Sequence, residues 1–518
     1  MRSIRPRVLV TCAVVLAAAV GGGWQLLPSD AVSGDPVTVG TTDQVTSLDP
    51  AGAYDAGSWA LYSNVYQSLL TFKPGGVTPV PDAATGCGFV GMQLQTYRCE
   101  LRDDLTFANG RKITGEDVKY SFERMLRITT DVGPQPLFGT LSSVDAKGRI
   151  VTFNLRSRDA TFPQKVATGA GSIVDRTQYP DKRLREGPAV DGSGPYLLKE
   201  YEPGVRARLV PNPAYKGALT RTGEPVEIRW FKASDELAAA WKAGRVDVTH
   251  RELPPKLLAG LDPGTSGVRV SESDSAEIRN LVFNVRPGSP MAKKAVRQAV
   301  ASVVDRPEVV TEVYHSTVEP LYSLIPQGTL AHSNSFFDAY PRPSAARARE
   351  LLDDAGIRTP VSFTLGHRDD GGPAQEAAEL RRQLEATGLF KVKVLAEDWK
   401  LFQKGYAAGR YDAYTVGWLP DFPDPDSFSQ PLVGTGSTLH NGYRSKEVDQ
   451  LIASTQQYSE RPRAMKDFKA LQDEIAEDVP LLPLWQKKDY VLSGEDVTGA
   501  QYLSDGTGVW RLWELGRI

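Results

Sequence analysis

Five histidines, three cysteines and a few paired acids are the residues through which this 518-residue chain could do covalent or metal chemistry. His250, His315, His332, His367 and His440 are dispersed. No two stand at the i, i+4 spacing that sets two imidazoles on one helix face, and no thiols accompany them to complete a zinc site. The chain has no Gly-x-Ser-x-Gly elbow to present a serine nucleophile and no phosphate loop ending in Gly-Lys-Ser/Thr. Asp353-Asp354 and Asp369-Asp370 fall at helix ends or in loops, where solvated charge accounts for them. These residues point to no enzyme, no cofactor and no metal.

The cysteines are read from their compartment. Arg2, Arg5 and Arg7 precede an uncharged apolar run from Val8 to Leu27, followed by Pro28-Ser29-Asp30, which is the pattern of an export segment. Residues 1–30 are therefore a signal peptide or a retained N-terminal membrane anchor, because about 20 apolar residues also suffice to cross the hydrocarbon. Ala17-Ala18-Ala19 and Gly21-Gly22-Gly23 permit cleavage. Cys12 lies inside the run without the surroundings of a lipoprotein cleavage site. The rest is extracytoplasmic, secreted across or anchored to the outer face of the cytoplasmic membrane, where thiols oxidise, so Cys87 and Cys99 are expected to form a disulfide. Gly86, Gly88 and Gly91 formally match a dinucleotide-binding loop. No buried strand precedes them, no helix follows, and Thr96 to Leu101 is the next strand, so they serve a bridged hairpin instead.

The scaffold that must hold these residues is that of an ordinary globular chain, with 41% hydrophobic and 24% charged positions and roughly three domains' worth of length. Lys+Arg 60 against Asp+Glu 63 leaves no basic field to hold nucleic acid. Strand patterns cover Val37–Val39, Ile150–Leu155, Arg206–Val210, Val226–Phe231, Asn280–Val285, Val361–Leu365, Lys391–Leu395 and Tyr411–Val416. Helices begin at Thr114, with Asp117 completing a capping box, and at Ser234. Others run over Ala292–Val304, Ser344–Asp354, Pro373–Thr387, Ser445–Tyr458 and Pro462–Ala476. Mixed in this order, they indicate an α/β architecture.

The stretch from Leu101 through Asn109-Gly110-Arg111, Thr114-Gly115-Glu116-Asp117-Val118 and on to Arg124 closely resembles the signature of the peptide- and nickel-type extracytoplasmic solute-binding proteins, family 5, of ABC importers. Ser47-Leu48-Asp49-Pro50, Gly192-Ser193-Gly194-Pro195-Tyr196, Pro211-Asn212-Pro213-Ala214-Tyr215 and Trp418-Leu419-Pro420-Asp421-Phe422-Pro423-Asp424-Pro425-Asp426 resemble the same family in the same order. The resemblance implies a two-lobed periplasmic-binding-protein-like clamp of the class II type. Lobe I would comprise 35–62, 190–278 and 485–518, with an extra α/β subdomain at 63–189, and lobe II would comprise 279–484. The crossings near Ser275–Val282 and Leu482–Lys487 would form the hinge.

It also implies a monomer that captures peptides and delivers them to a membrane permease and its ATPase. The alternatives are a chelated metal, glycoside or other small solute on the same scaffold, or a membrane-anchored sensor without transport. In peptide-binding relatives the aspartate of the Trp-x-x-Asp segment pairs with the ligand's α-amino group, and the matching residue is Asp421. A carboxylate buried by lobe closure needs a cation, so it selects a free ammonium. Trp399 and Trp418 match tryptophans that wall the adjoining side-chain pocket. Trp485, Phe422 and Tyr62 complete the expected ligand-binding set, with Tyr66 and Tyr490 as lesser candidates. One departure is that Thr415-Val416-Gly417 stand where some relatives carry an arginine for the ligand carboxylate. His440, Arg444 and Arg368 are the substitutes considered.

Overall fold

A computed structural model describes residues 35–130, 133–219, 223–262, 264, 267–369, 372–504, 507 and 509–518; the export segment and Cys12 lie outside them. Among the described residues no helix is long and apolar enough to cross a membrane.

Among the described residues one eleven-stranded sheet runs through the molecule, its strand Val318–Pro320 paired off the main path onto Leu481–Gly494. At its centre the strands Val268–Phe283 and Leu481–Gly494 lie antiparallel. Beyond the first of them come Ala413–Trp418, Val361–Arg368 and Phe390–Glu397. Beyond the second come Val248–His250, Val37–Thr41, Val226–Trp230, Arg206–Pro211 and Tyr196–Glu202. The two central strands lose register between Asp274 and Ile278, and again between Arg279 and Asn280. Such irregularities bend a ladder and increase its twist.

Two large hydrophobic cores flank this crossing. The first gathers residues such as Val37, Leu61, Phe122, Phe153, Ile228 and Trp513, and the second residues such as Leu281, Val300, Leu365, Leu380, Tyr414 and Leu482. These are the two lobes. The strand expected at Asn280–Val285 begins at Val268 instead, because its polar first half is held by pairing with Leu481–Gly494 rather than by an apolar face.

The motifs that carry Asp49 and Arg124 meet in the first lobe. Asp117 accepts hydrogen bonds from the Thr114 backbone N–H at 2.9 Å and from its hydroxyl at 2.8 Å, which starts the helix Gly115–Arg127. That helix buries Val118, Phe122 and Met125 and carries in its last turn Arg124, whose Nη1 and Nη2 donate to the two oxygens of Asp49 at 2.8 and 2.6 Å.

The hairpin Ala84–Phe89 and Thr96–Leu101 sets Cys87 opposite Cys99, and the two are bonded across 12 residues. With Ile150–Leu155 and Leu141–Lys147 it forms a four-stranded sheet that shares the first core rather than owning one. Replacing both cysteines by serine is expected to cost about 3 kcal/mol, the loop-entropy scale for so short a closure. Neither cysteine borders the cavity described below, so solute affinity should not change. A denaturation midpoint and a calorimetric titration check the two halves of this expectation.

Candidate functional site

A cavity of about 430 Å³ opens where the central strands cross. Its walls are built largely from residues at or just beyond the carboxyl ends of strands: Thr42 and Asp43 after Val37–Thr41, Arg251 and Glu252 after Val248–His250, Arg368 closing Val361–Arg368, and Leu419 to Asp421 after Ala413–Trp418. In α/β sheets this is where loops from neighbouring strands diverge and leave room for a ligand. The helix Ala56–Val65 adds Trp59, and the helix Trp399–Ala407 adds Trp399, Phe402 and Tyr406.

Asp421 is 7% exposed and, among the described residues, forms no ion pair. Its Oδ2 accepts a hydrogen bond from the Tyr54 hydroxyl at 2.5 Å, across from the first lobe. Its backbone N–H donates to Ser427 Oγ at 2.7 Å, and the Trp418 indole donates to the Ser427 carbonyl at 2.7 Å, so the loop is fixed onto the helix Asp426–Val433. Burial pushes the Asp421 carboxyl up to about 7. The Tyr54 hydrogen bond and the charge of Lys165 offset this only in part, since Lys165 is committed to Asp159 at 2.7 Å. Asp424 and Asp426 differ sharply. Arg461 donates to both oxygens of Asp424, at 2.7 and 2.8 Å, and lies 3.4 Å from Asp426. Of the three aspartates in the loop, only Asp421 borders this cavity.

Trp399 and Trp418 both line the cavity. Trp418 meets the Tyr54 ring edge-on at 5.9 Å, and Tyr54 in turn lies 5.2 Å from Trp59. Three expected residues lie elsewhere. Trp485 turns into the second core, where its indole donates to Glu376 Oε2 at 2.7 Å and packs 4.7 Å from Tyr314. Phe422 is inserted into the first core and borders a smaller neighbouring cavity of about 260 Å³. Tyr62 donates to the carbonyl of Ser47 at 2.7 Å, anchoring the Ser47–Pro50 segment beneath the cavity wall. Position near a strand crossing does not reveal which face a side chain takes, and these three take core faces. Of the lesser candidates, neither Tyr66 nor Tyr490 borders the cavity. Of the cations considered, Arg368 and His440 line it and Arg444 does not.

Tyr54, Arg251, Glu252, Glu277 and Arg279 belong to the wall although their sequence context did not single them out. Arg251, held at φ 80, lies between Asp43 at 2.9 Å and Glu277 at 2.6 Å. Burial raises Glu277, but Arg251 and Lys487 outweigh it and hold the carboxyl down at about 2. Arg368 takes both oxygens of Glu252 at 3.1 Å and stands over Trp399. A usable signal was present: Glu277 and Arg279 flank Ile278 just before the apolar Leu281-Val282-Phe283, so two charges share one face of a buried strand. Among the described residues no group of His, Cys, Asp or Glu could hold a metal ion.

Residues 78–439 match the family described as bacterial extracellular solute-binding proteins, family 5 Middle. A probable D,D-dipeptide-binding periplasmic protein, DdpA of Escherichia coli, is 26% identical over 495 residues, which cover 90% of this chain and 92% of that protein. The periplasmic binding protein DppA from Helicobacter pylori, solved in complex with the peptide STSA, superposes with a TM-score of 0.83 at 18% identity, over 93% of this chain and 98% of that one. AgaA from A. tumefacien R10, solved in complex with agropinic acid, gives 0.82 at 19% identity, over 93% and 99%.

Proposed function

The chain belongs to the bacterial extracellular solute-binding proteins of family 5, and from that premise we propose that it is the solute-capturing component of an ABC importer. It works outside the cytoplasmic membrane, encloses short peptides between its lobes and passes them to a permease and its ATPase. Asp421 receives the free α-amino group, and Trp399 and Trp418 bury the neighbouring side chain. The observation that carries this reading is a carboxylate 7% exposed, facing the cavity and raised to about 7, with no cation paired to it among the described residues. Ionising such a group in a low-dielectric cleft is costly, and an arriving ammonium removes the cost. The names of relatives such as the D,D-dipeptide-binding protein support peptides as cargo.

A ligand that touches Tyr54 and Trp59 on one lobe and Trp418 and Asp421 on the other favours the closed arrangement by its differential affinity alone. Native mass spectrometry of freshly purified protein should therefore show a bound peptide. Rebinding it should reduce the radius of gyration in solution scattering and change tryptophan fluorescence. Recovery of a tightly held solute without a free amine would defeat the peptide reading and favour a small non-peptide cargo.

A further inference from the structure

The cavity of about 260 Å³ adjoins the one that holds Asp421, and the two share Tyr54, Pro136, Gly436 and Thr438 as wall. It lies between the lobes. Leu137, which belongs to the first core, forms one side, and Gln430 and Pro431, on the helix Asp426–Val433 whose Phe428 and Leu432 enter the second core, form another. The Ala160 backbone N–H donates to the Gln456 carbonyl at 2.8 Å and joins the two sides. A group placed here therefore touches both lobes.

Two polar side chains on this wall are unspent. Ser437 is 6% exposed and Gln456 7% exposed, both border the cavity, and neither side chain makes a hydrogen bond among the described residues. Gln430 brings a second carboxamide to the same wall. The charges there are by contrast already paired. Lys165 donates to Asp159 Oδ2 at 2.7 Å, and Asp426 accepts from Thr455 Oγ1 at 2.8 Å while Arg461 Nη2 lies 3.4 Å from its other oxygen. An incoming ammonium would meet the like charge of Lys165, and an incoming carboxylate that of Asp426. Leu137, Phe422 and Pro431 supply apolar surface to the wall.

We propose that this second cavity is a subsite for a neutral side chain of the bound peptide that both donates and accepts hydrogen bonds, a carboxamide, held by Ser437 and Gln456. A carboxamide offers two N–H donors and a carbonyl acceptor, which match the hydroxyl of Ser437 and the amides of Gln456 and Gln430. A group that displaces solvent from such a wall must reproduce its hydrogen bonds or lose affinity, because a buried donor or acceptor left without a partner bears its full desolvation cost. An apolar side chain fails on that account, and a charged one finds no counter-ion free to receive it. Recognition is divided between the two cavities, charge in the larger and neutral hydrogen bonding in the smaller.

This inference rests on the peptide reading of the larger cavity. The test is calorimetry with alanyl-glutamine, alanyl-leucine, alanyl-glutamate and alanyl-lysine, each with a free and with an N-acetylated amine. Alanyl-glutamine should bind roughly tenfold or more tightly than alanyl-leucine, the scale of one or two well-made hydrogen bonds, and the two charged peptides should bind no better than alanyl-leucine. Gln456→Leu should abolish the preference for glutamine over leucine, and Ser437→Ala, which removes a single oxygen, should reduce it. A ratio that survives unchanged in both variants overturns the assignment, as does a wild type that favours alanyl-lysine or alanyl-glutamate, or one that binds the glutamine and leucine peptides alike. A wild type that is indifferent to N-acetylation overturns the peptide reading, and this subsite with it.

Discussion

Asp421→Asn is expected to weaken binding of a free-amine peptide by about 2–5 kcal/mol, the usual scale for removing one partner of a buried charge pair. It should leave an N-acetylated peptide almost unaffected. The carboxylate is 7% exposed, its loop is fixed through Ser427, and its hydrogen-bonding neighbour from the opposite lobe is the neutral Tyr54. On the proposed reading the ligand's ammonium is the group that compensates its charge. Because burial raises this carboxyl to about 7, affinity for an ammonium should fall by roughly tenfold per pH unit below that value, where a proton must first leave. Stability of the unliganded protein has the opposite sign. A folded-state value raised from 3.8 to about 7 means that the group's favourable contribution is complete below about 4 and lost as pH rises through 7. At about 1.4 kcal/mol per pH unit the loss is on the order of 4 kcal/mol. Unliganded Asp421→Asn should accordingly melt above wild type at pH 8 and close to it at pH 4. Equal affinity of wild type for amine and N-acetyl peptides would remove Asp421 from this role.

The second large effect concerns stability alone. Asp49 and Arg124 are each 1% exposed and bonded through both oxygens, and Asp49 also accepts the Arg185 backbone N–H at 2.7 Å. Asp49→Ala leaves the guanidinium buried without its partner, which costs about 3–5 kcal/mol. The expected result is a large fall in the urea midpoint. The double replacement Asp49→Leu with Arg124→Met should recover much of it, because no buried charge is then left alone. A single variant within about 1 kcal/mol of wild type would show that the pair is dispensable.

The two effects differ in how far their residues could be read from the chain. Thr114 and Asp117 announce their helix locally, and the hairpin of Cys87 and Cys99 follows from its glycines and the adjoining strand pattern. The first half of Val268–Phe283 announces nothing, since Glu272, Ser273 and Asp274 become strand only through partners some two hundred residues away. Family resemblance pointed to Asp421, Trp399 and Trp418, and these three share the cavity. It could not say that Trp485, Phe422 and Tyr62 face core, because facing depends on register and twist, not on distance from a hinge. Arg279 and Glu277 were hidden for a related reason: a charged residue in a strand is ordinary until the neighbouring strand is known, and Arg279 is set opposite Gly417 only once the two strands are paired.

The two cores also differ in when they can form. The second uses residues between Ile278 and Trp485, whereas the first joins Val37 and Leu61 to Trp510, Leu512 and Leu515 from the opposite end of the chain. The entropic cost of such a closure grows as (3/2)RT ln n, about 5 kcal/mol for a loop of roughly 450 residues. A polypeptide that emerges N-terminus first can complete its middle lobe while the last strands are still to arrive. Segments such as Thr96–Leu101 and Ile150–Leu155 meanwhile lack part of the cover they will have in the finished core. Apolar surface left uncovered in such an interval is what exposes a chain to aggregation. On that order of supply the middle of the chain can close before its beginning, which waits for the last residues to arrive.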